Sequence, residues 1–185
     1  MVYEYNLPVG HSCPFAKTCL VKVDKKTGKF QNKSNNYKCY AAAAERFPGV
    51  RDSRWNNFEN AKNGIVPQPP KLAKSIRVHG SGDFFSQSYF DRWVDIAMQN
   101  PDKEFWAYTK SLKYWVRRIA DIPNNFVLTA SVGGNDDYLI AEHDLKHVVV
   151  VASDESTLLP IDTNDDLARN PSIKRFALID NYAKK

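Results

Sequence analysis

The feature that most constrains this chain is an alternation of short apolar runs with helix-periodic stretches between Ser75 and Ala152. Ser75-Ile76-Arg77-Val78-His79, Glu104-Phe105-Trp106-Ala107-Tyr108, Phe126-Val127-Leu128-Thr129-Ala130 and His147-Val148-Val149-Val150-Val151-Ala152 have the length and β-branched or aromatic content of strands. Between the first two, Phe85, Tyr89, Trp93, Ile96 and Ala97 recur at helical spacing. Between the next two, Leu112, Trp115, Val116 and Ile119 form an i, i+3, i+4, i+7 stripe, and a short helical turn is expected over 137–144. Strand, loop, helix, strand, repeated three times, predicts a parallel sheet joined by crossover helices. The fourth strand is apolar enough to be expected buried on both faces.

Length then limits the architecture. A closed eight-unit barrel takes about 250 residues, and this chain has 185. The predicted fold is therefore α/β, as a partial (β/α) barrel or an open parallel sheet. The chain reads as one domain over 1–185, with a cysteine-bearing loop region over 1–39, βα repeats over 75–152 and a C-terminal tail over 153–185. The first forty residues read as irregular, because polar turn-rich stretches such as Lys25-Lys26-Thr27-Gly28-Lys29 separate the cysteines. A helix is expected over 40–47, stopped by Pro48-Gly49, and a second over 52–63.

The chain has three cysteines, Cys13, Cys19 and Cys39, an odd number that suits a disulfide framework poorly. The spacings are C-x5-C and C-x19-C, and Cys39 stands where a helix is expected to begin, a setting that favours a thiolate. Soft thiolate ligands in a loop suit iron–sulfur or zinc. Structural zinc sites usually have four ligands and C-x2-4-C pairs, and the fourth ligand here would be His11 or something distant. Spacing alone leaves iron–sulfur, zinc and a metal-free trio open.

Ligands of parallel α/β proteins sit beyond the carboxyl ends of the strands. Three successive ends carry small, polar or basic groups: His79, Ser81, Gly82 and Asp83 after the first, Lys110 after the second and Ser131 after the third. Together they are expected to line one ligand site, although turns and helix caps use the same residue types. Trp93, Trp106 and Trp115 read as core.

Charge is uneven. Residues 1–75 carry 13 Lys or Arg against five Asp or Glu, and the rest 13 against 16. The basic part suits an anionic partner such as nucleic acid or a phosphorylated ligand, or else an ordinary solvated surface. No apolar run is long enough to cross a bilayer, and the amino terminus lacks the pattern of a secretory signal. No membrane partner is expected, and a cytoplasmic location follows.

Five pieces then resemble a phage-encoded family, gene product eighty-eight. They are Cys13-Pro14-x-Ala16-x-x-Cys19, Cys39-Tyr40-Ala41, Arg54-x-x-Asn57, Arg77-x-His79-x-Ser81-Gly82-Asp83-Phe84 and Tyr108-Thr109-Lys110-Ser111, within roughly residues 5–152. Relatives carry further cysteines after the last strand, and this chain has none there. More distantly, the layout resembles the radical S-adenosylmethionine enzymes, with three cysteines in an early loop, a partial barrel, and Gly80-Ser81-Gly82-Asp83 where those enzymes have a glycine-rich turn. Their closer C-x3-C-x2-C spacing is not reproduced. The resemblance implies a [4Fe-4S] cluster on Cys13, Cys19 and Cys39, with one iron open to a ligand such as S-adenosylmethionine. The expected function is iron–sulfur cluster binding in a diverged radical-SAM-like enzyme. The alternatives are an electron-transfer protein and a basic nucleic-acid-binding module with a structural metal.

Overall fold

The computed structural model describes residues 1–19, 21–31 and 39–180. The strand over Ser75–Val78 (β4) is followed by a helix over Gln87–Gln99 (α2), a strand over Glu104–Thr109 (β5) and a short helix over Leu112–Val116 (α3). Then come a strand over Phe126–Ser131 (β6), a helix over Tyr138–Glu142 (α4) and a strand over His147–Val151 (β7). The alternation read from the sequence is therefore present. Ser86 caps α2, its hydroxyl accepting the Tyr89 N–H at 3.2 Å.

Two further strands join this sheet. Val2–Tyr5 (β1) pairs in parallel with β4, and Arg175–Ile179 (β8) pairs in parallel with β7. All six strands are parallel, in the order β1-β4-β5-β6-β7-β8. The sheet is open: β1 and β8 are its two edges. The amino-terminal region is thus not wholly irregular, and the carboxyl-terminal segment is not merely a tail. Strands β1 and β8 are short and lie far in sequence from partners that complete them, so local periodicity carries little sign of either.

Strands that succeed one another across a sheet in chain order, joined by crossovers of the same hand, place their helices on one face. That face holds the main core, where Tyr5, Ile76, Val78, Phe105, Ala107, Leu128 and Ala130 from the strands meet Phe58, Phe90, Trp93, Ile96, Leu112 and Trp115. The tryptophans are core, as expected. The opposite face, which a closed barrel would enclose, is covered by residues after β7. Ala168, in a helix over Asp166–Arg169 (α5), packs with Trp106, Val148 and Phe176. Lys146 ties this cover down, its ammonium donating to Leu167 O, Asn170 O and Ile173 O at 2.6–2.8 Å.

Three local expectations change. Strand β7 is buried only at Val148: on the same face Val150, 37% exposed, stands in the wall of a cavity, and on the other face Val149 and Val151 are only half-buried, where α4 is a helix of just five residues. Pro48 does not stop a helix; it opens the one over Pro48–Lys62 (α1), where its missing N–H is no loss. The helix expected before it is a 3-10 turn over Ala42–Arg46. The stripe ending in Ile119 is interrupted, since α3 stops at Val116 and Ile119 lies in a separate 3-10 turn, 42% exposed.

No helix among the described residues is long and apolar enough to cross a membrane.

Candidate functional site

The site is built by two arms laid over the carboxyl ends of the strands. The first runs from β1 to Cys19. Leu7 N–H donates to Ser81 O at 2.9 Å, and Ser81 Oγ donates to Leu7 O at 2.7 Å. Gly82 has φ +83, and a Cβ there would stand 2.5 Å from Ser12 Oγ and 2.6 Å from Leu7 Cβ. Glycine at this position lets the segment leading to Cys13 lie directly on the β4 loop. Further along, Phe15 O accepts the Asn135 N–H, the Lys17 and Thr18 N–H groups point to Gly133 O, and Ala16 bridges Gly134. The Gly133-Gly134 turn is itself held by Asp137, whose carboxylate accepts both glycine N–H groups at 2.8 and 3.0 Å. The C-x5-C loop is therefore clamped between the ends of β4 and β6.

The second arm carries Cys39. A small hairpin of Lys22–Val23 (β2) and Phe30–Gln31 (β3) precedes it, and Val9, Val21, Val23, Ala41 and Ala42 form a minor core against which Cys39 packs. Glu45, fully buried, accepts Val9 N–H at 2.8 Å and Arg54 Nη1 at 2.9 Å, and the same Arg54 nitrogen donates to Ala41 O. Asn57 Nδ2 donates to Asn6 O at 3.0 Å. The Arg54-x-x-Asn57 pair on α1 thus ties the Cys39 arm and the Cys13 arm to one helix. Tyr40 closes the joint by donating to Gly80 O at 2.7 Å.

These arms bring the three thiols, all free and half-buried, into one neighbourhood. The Cys19 thiol donates a hydrogen bond to Cys39, and the charges of Cys39 and Cys13 act on Cys19. Cys39 is lowered to about 7 by that bond and by the Ala41 and Ala42 N–H groups, against the opposing effect of burial. Cys19 is raised, first by donating to Cys39 and then by burial. Burial pushes Cys13 up to about 12, with Asp83 adding to the rise. Ionisation of the trio therefore begins at Cys39. Among the described residues, no three His, Cys, Asp or Glu side chains converge as ligands of a single metal ion. His11 is engaged elsewhere: its Nε2 donates to Val23 O at 3.0 Å and its ring is 4.8 Å from that of Trp55.

Cys19 and Cys39 open on a cavity of about 680 Å³ over the sheet face covered by the carboxyl-terminal segment. Arg77, Tyr108, Lys110, Ser131, Val150 and the end of β8 at Leu178 and Ile179 form its sheet wall, and residues 161–165 form the opposite wall. Register explains the set: Arg77 pairs with Trp106, Tyr108 with Thr129 and Ser131 with Val148, so these positions point to the same side of the sheet. Asp165 accepts from Arg77 at 3.0 Å and from Tyr108 Oη at 2.9 Å, joining the two walls.

Of the residues expected to line one ligand site, Lys110 and Ser131 are cavity walls. His79, Ser81, Gly82 and Asp83 are not among its walls, and their polar atoms turn to the protein. Asp83 Oδ1 accepts from Thr109 Oγ1 at 2.6 Å and from Phe84 N–H, while Oδ2 accepts Lys110 N–H at 2.8 Å, which joins the ends of β4 and β5. Burial nevertheless raises its carboxyl to about 6. His79 is buried at φ +70 with Nε2 2.8 Å from Tyr89 Oη, and burial lowers it to about 3. Sequence reasoning missed Arg77, Tyr108 and Asp165 as parts of the site. Alternation along β4 and β5 carried a signal for the first two; nothing local marked Asp165.

A family model described as gene product 88 matches residues 1–180 of the chain. The chain belongs to the gene product 88 family. The gene 88 proteins of Mycobacterium phages L5 and D29 are similar to it, 48% and 42% identical over 40 residues. That stretch is 22% of this gene product 88 chain and spans only 17% of the length of each phage protein. No solved structure matches it. Within this family member, the pieces quoted above as carrying the resemblance are largely the ones that tie the two cysteine arms to the strand ends.

Proposed function

We propose that this gene product 88 chain binds a [4Fe-4S] cluster on Cys13, Cys19 and Cys39, at the mouth of a cavity that receives a second ligand. The observation that carries this reading is the delivery of three cysteines, from two separate arms, to one place where two of the thiols touch and open on the cavity. The donor set is soft and suits iron–sulfur chemistry. A single zinc ion needs its sulfurs converged at about 2.3 Å from one point, and the described side chains do not converge in that way. A cluster takes each thiolate on its own iron, so it needs neighbouring thiols rather than a common centre.

A cluster held there supplies one-electron chemistry and, with three protein ligands, leaves one iron to be coordinated from outside the cysteine set. The chain's own residues do the rest. Backbone N–H groups of Ala41 and Ala42 point at Cys39 and stabilise its thiolate. The Gly133-Gly134 clamp and the Gly82 contact hold the Cys13–Cys19 loop against the strand ends. Arg77, Tyr108 and Asp165 form a rigid polar wall against which a ligand at the open position would be oriented.

The test is anaerobic reconstitution with iron and sulfide. About four of each per chain are expected, with an EPR signal on reduction, and serine at any one of the three cysteines should lower both. A colourless protein carrying stoichiometric zinc and no iron overturns the proposal. The same EPR sample divides the enzyme reading from the carrier reading. A changed spectrum on adding S-adenosylmethionine assigns the open iron to that ligand, and an unchanged spectrum with reversible voltammetry assigns the chain to electron transfer.

A further inference from the structure

Lys110 is the one lysine among the described residues that line the cavity, and its surroundings are unusual for a cation. Its ammonium donates to Ser131 O at 2.9 Å, Ser131 Oγ at 2.8 Å and Val132 O at 2.8 Å. Those three acceptors use all three of its protons, and all three are neutral. No carboxylate side chain among the described residues forms an ion pair with it. A half-buried ammonium fixed in this way has lost hydration without gaining a contact counter-ion, an arrangement that costs stability unless negative charge lies nearby.

The nearby groups that can carry negative charge are Asp83, the Cys19 thiol, Asp137 and the Cys13 thiol. Thr18, next to Cys19, reaches Gly133 so closely that a Cβ on that glycine would lie 2.6 Å from Thr18 Oγ1 and 3.6 Å from Lys110 Nζ. A Cβ on Gly134 would lie 3.2 Å from Lys110 Cβ. The two glycines therefore let the cysteine loop and the lysine pack with no side chain between them. Lys110 shares the cavity wall with Cys19 and Cys39, and Cys13, Cys19, Asp83 and Asp137 are the anionic groups whose charge acts on it. Asp83 and Asp137 are already occupied by backbone and hydroxyl donors.

We propose that Lys110 is the fixed counter-charge of the three-cysteine site, stapled to the end of β6 so that its field falls on the sulfur ligands and raises the electron affinity of the cluster they would hold. It is a positioning residue that contacts no cysteine, and this role deepens the cluster reading and rests on it for the redox part. Because the three acceptors prevent the ammonium from swinging away, its charge acts at a constant place in both oxidation states.

The test compares Lys110→Gln and Lys110→Arg with the parent protein after reconstitution. Gln keeps donors for Ser131 but is neutral; Arg keeps the charge. Lys110→Gln should retain the parent's iron and sulfide while its reduced form is disfavoured roughly tenfold, which is about 59 mV lower in a one-electron midpoint. Lys110→Arg should stay near the parent. Loss of iron in Lys110→Gln but not in Lys110→Arg also supports the proposal. An unchanged midpoint in Lys110→Gln overturns it, as do equal shifts, or equal loss of iron, in both variants. If the parent itself takes up no iron, the cluster reading fails and the lysine is judged on the iron-free chain. There, iodoacetamide should alkylate the trio, beginning at Cys39, about three- to tenfold more slowly in Lys110→Gln than in the parent or Lys110→Arg, and equal rates overturn the proposal.

Discussion

Two buried side chains on the β4 loop, His79 and Asp83, behave oppositely towards protons. His79 has a folded value of about 3 against roughly 6.5 in an unfolded chain. Between those values the unfolded state binds the extra proton, so stability rises with pH across that window and is lost as pH falls through it. Asp83, raised to about 6 from roughly 3.9, binds its proton in the folded state and works the other way over the narrower range. The two are separated by replacing one. His79→Asn, whose side chain tolerates the positive φ found there, removes the rising contribution and leaves that of Asp83, so between about pH 4 and 6 its urea stability should fall as pH rises relative to the parent's. Parallel pH profiles for the two proteins would mean that His79 is charged in the folded state. The sequence singled out both residues as ligand-facing, because histidine, serine, glycine and aspartate after a strand have the composition of a binding loop. The composition of a strand-end brace is the same, and only the partners Tyr89, Thr109 and Leu7 show how these polar groups are used.

At the scale of elements, the cysteine arms depend on α1. Arg54 and Glu45 form an ion pair at 2.9 Å with side chains 10% and 0% exposed, and Glu45 also holds Val9 while Arg54 holds Ala41. Removing one member leaves a buried charge, which costs about 3–5 kcal/mol. Arg54→Met should lose stability on that scale in denaturant unfolding, and it should free the Cys39 arm, so that iron uptake falls further than stability alone would explain. A loss below about 1 kcal/mol would put the pair among exposed bridges of small worth. This brace was only half legible in the sequence. Arg54 and Asn57 belong to the pieces that carry the family resemblance, but their work is done on backbone groups of residues 6 and 41, which no periodicity connects to them. The turn clamp of Gly133 and Gly134 is similar. The glycines were visible, and the loop they admit was not.

For the molecule as a whole, the decisive event is the return of the chain after β7. It crosses the face that a closed barrel would enclose, adds β8 to the sheet edge and walls the cavity. Ile161 bridges Ala177 along the outer side of that strand, covering part of an otherwise open edge. Phe176 is fully buried at the centre of this layer. Phe176→Ala should cost about 3–5 kcal/mol, measured by chemical denaturation, with the cavity wall lost alongside. A neutral result would show that the layer contributes nothing to the cooperative fold. The amino-acid sequence by itself determined the βα alternation, the parallel sheet, the limit on strand number and the three cysteines as the chain's only thiols. These follow from local periodicity, length and composition. Tertiary structure alone decided between a partial barrel and an open sheet, that β1 and β8 complete it, that Arg77 and Asp165 meet, and that Lys110 stands beside the cysteine loop with no carboxylate ion-pair partner among the described residues. Each of those depends on contacts between residues tens of positions apart, whose side chains are placed by packing and register rather than by their neighbours in the chain.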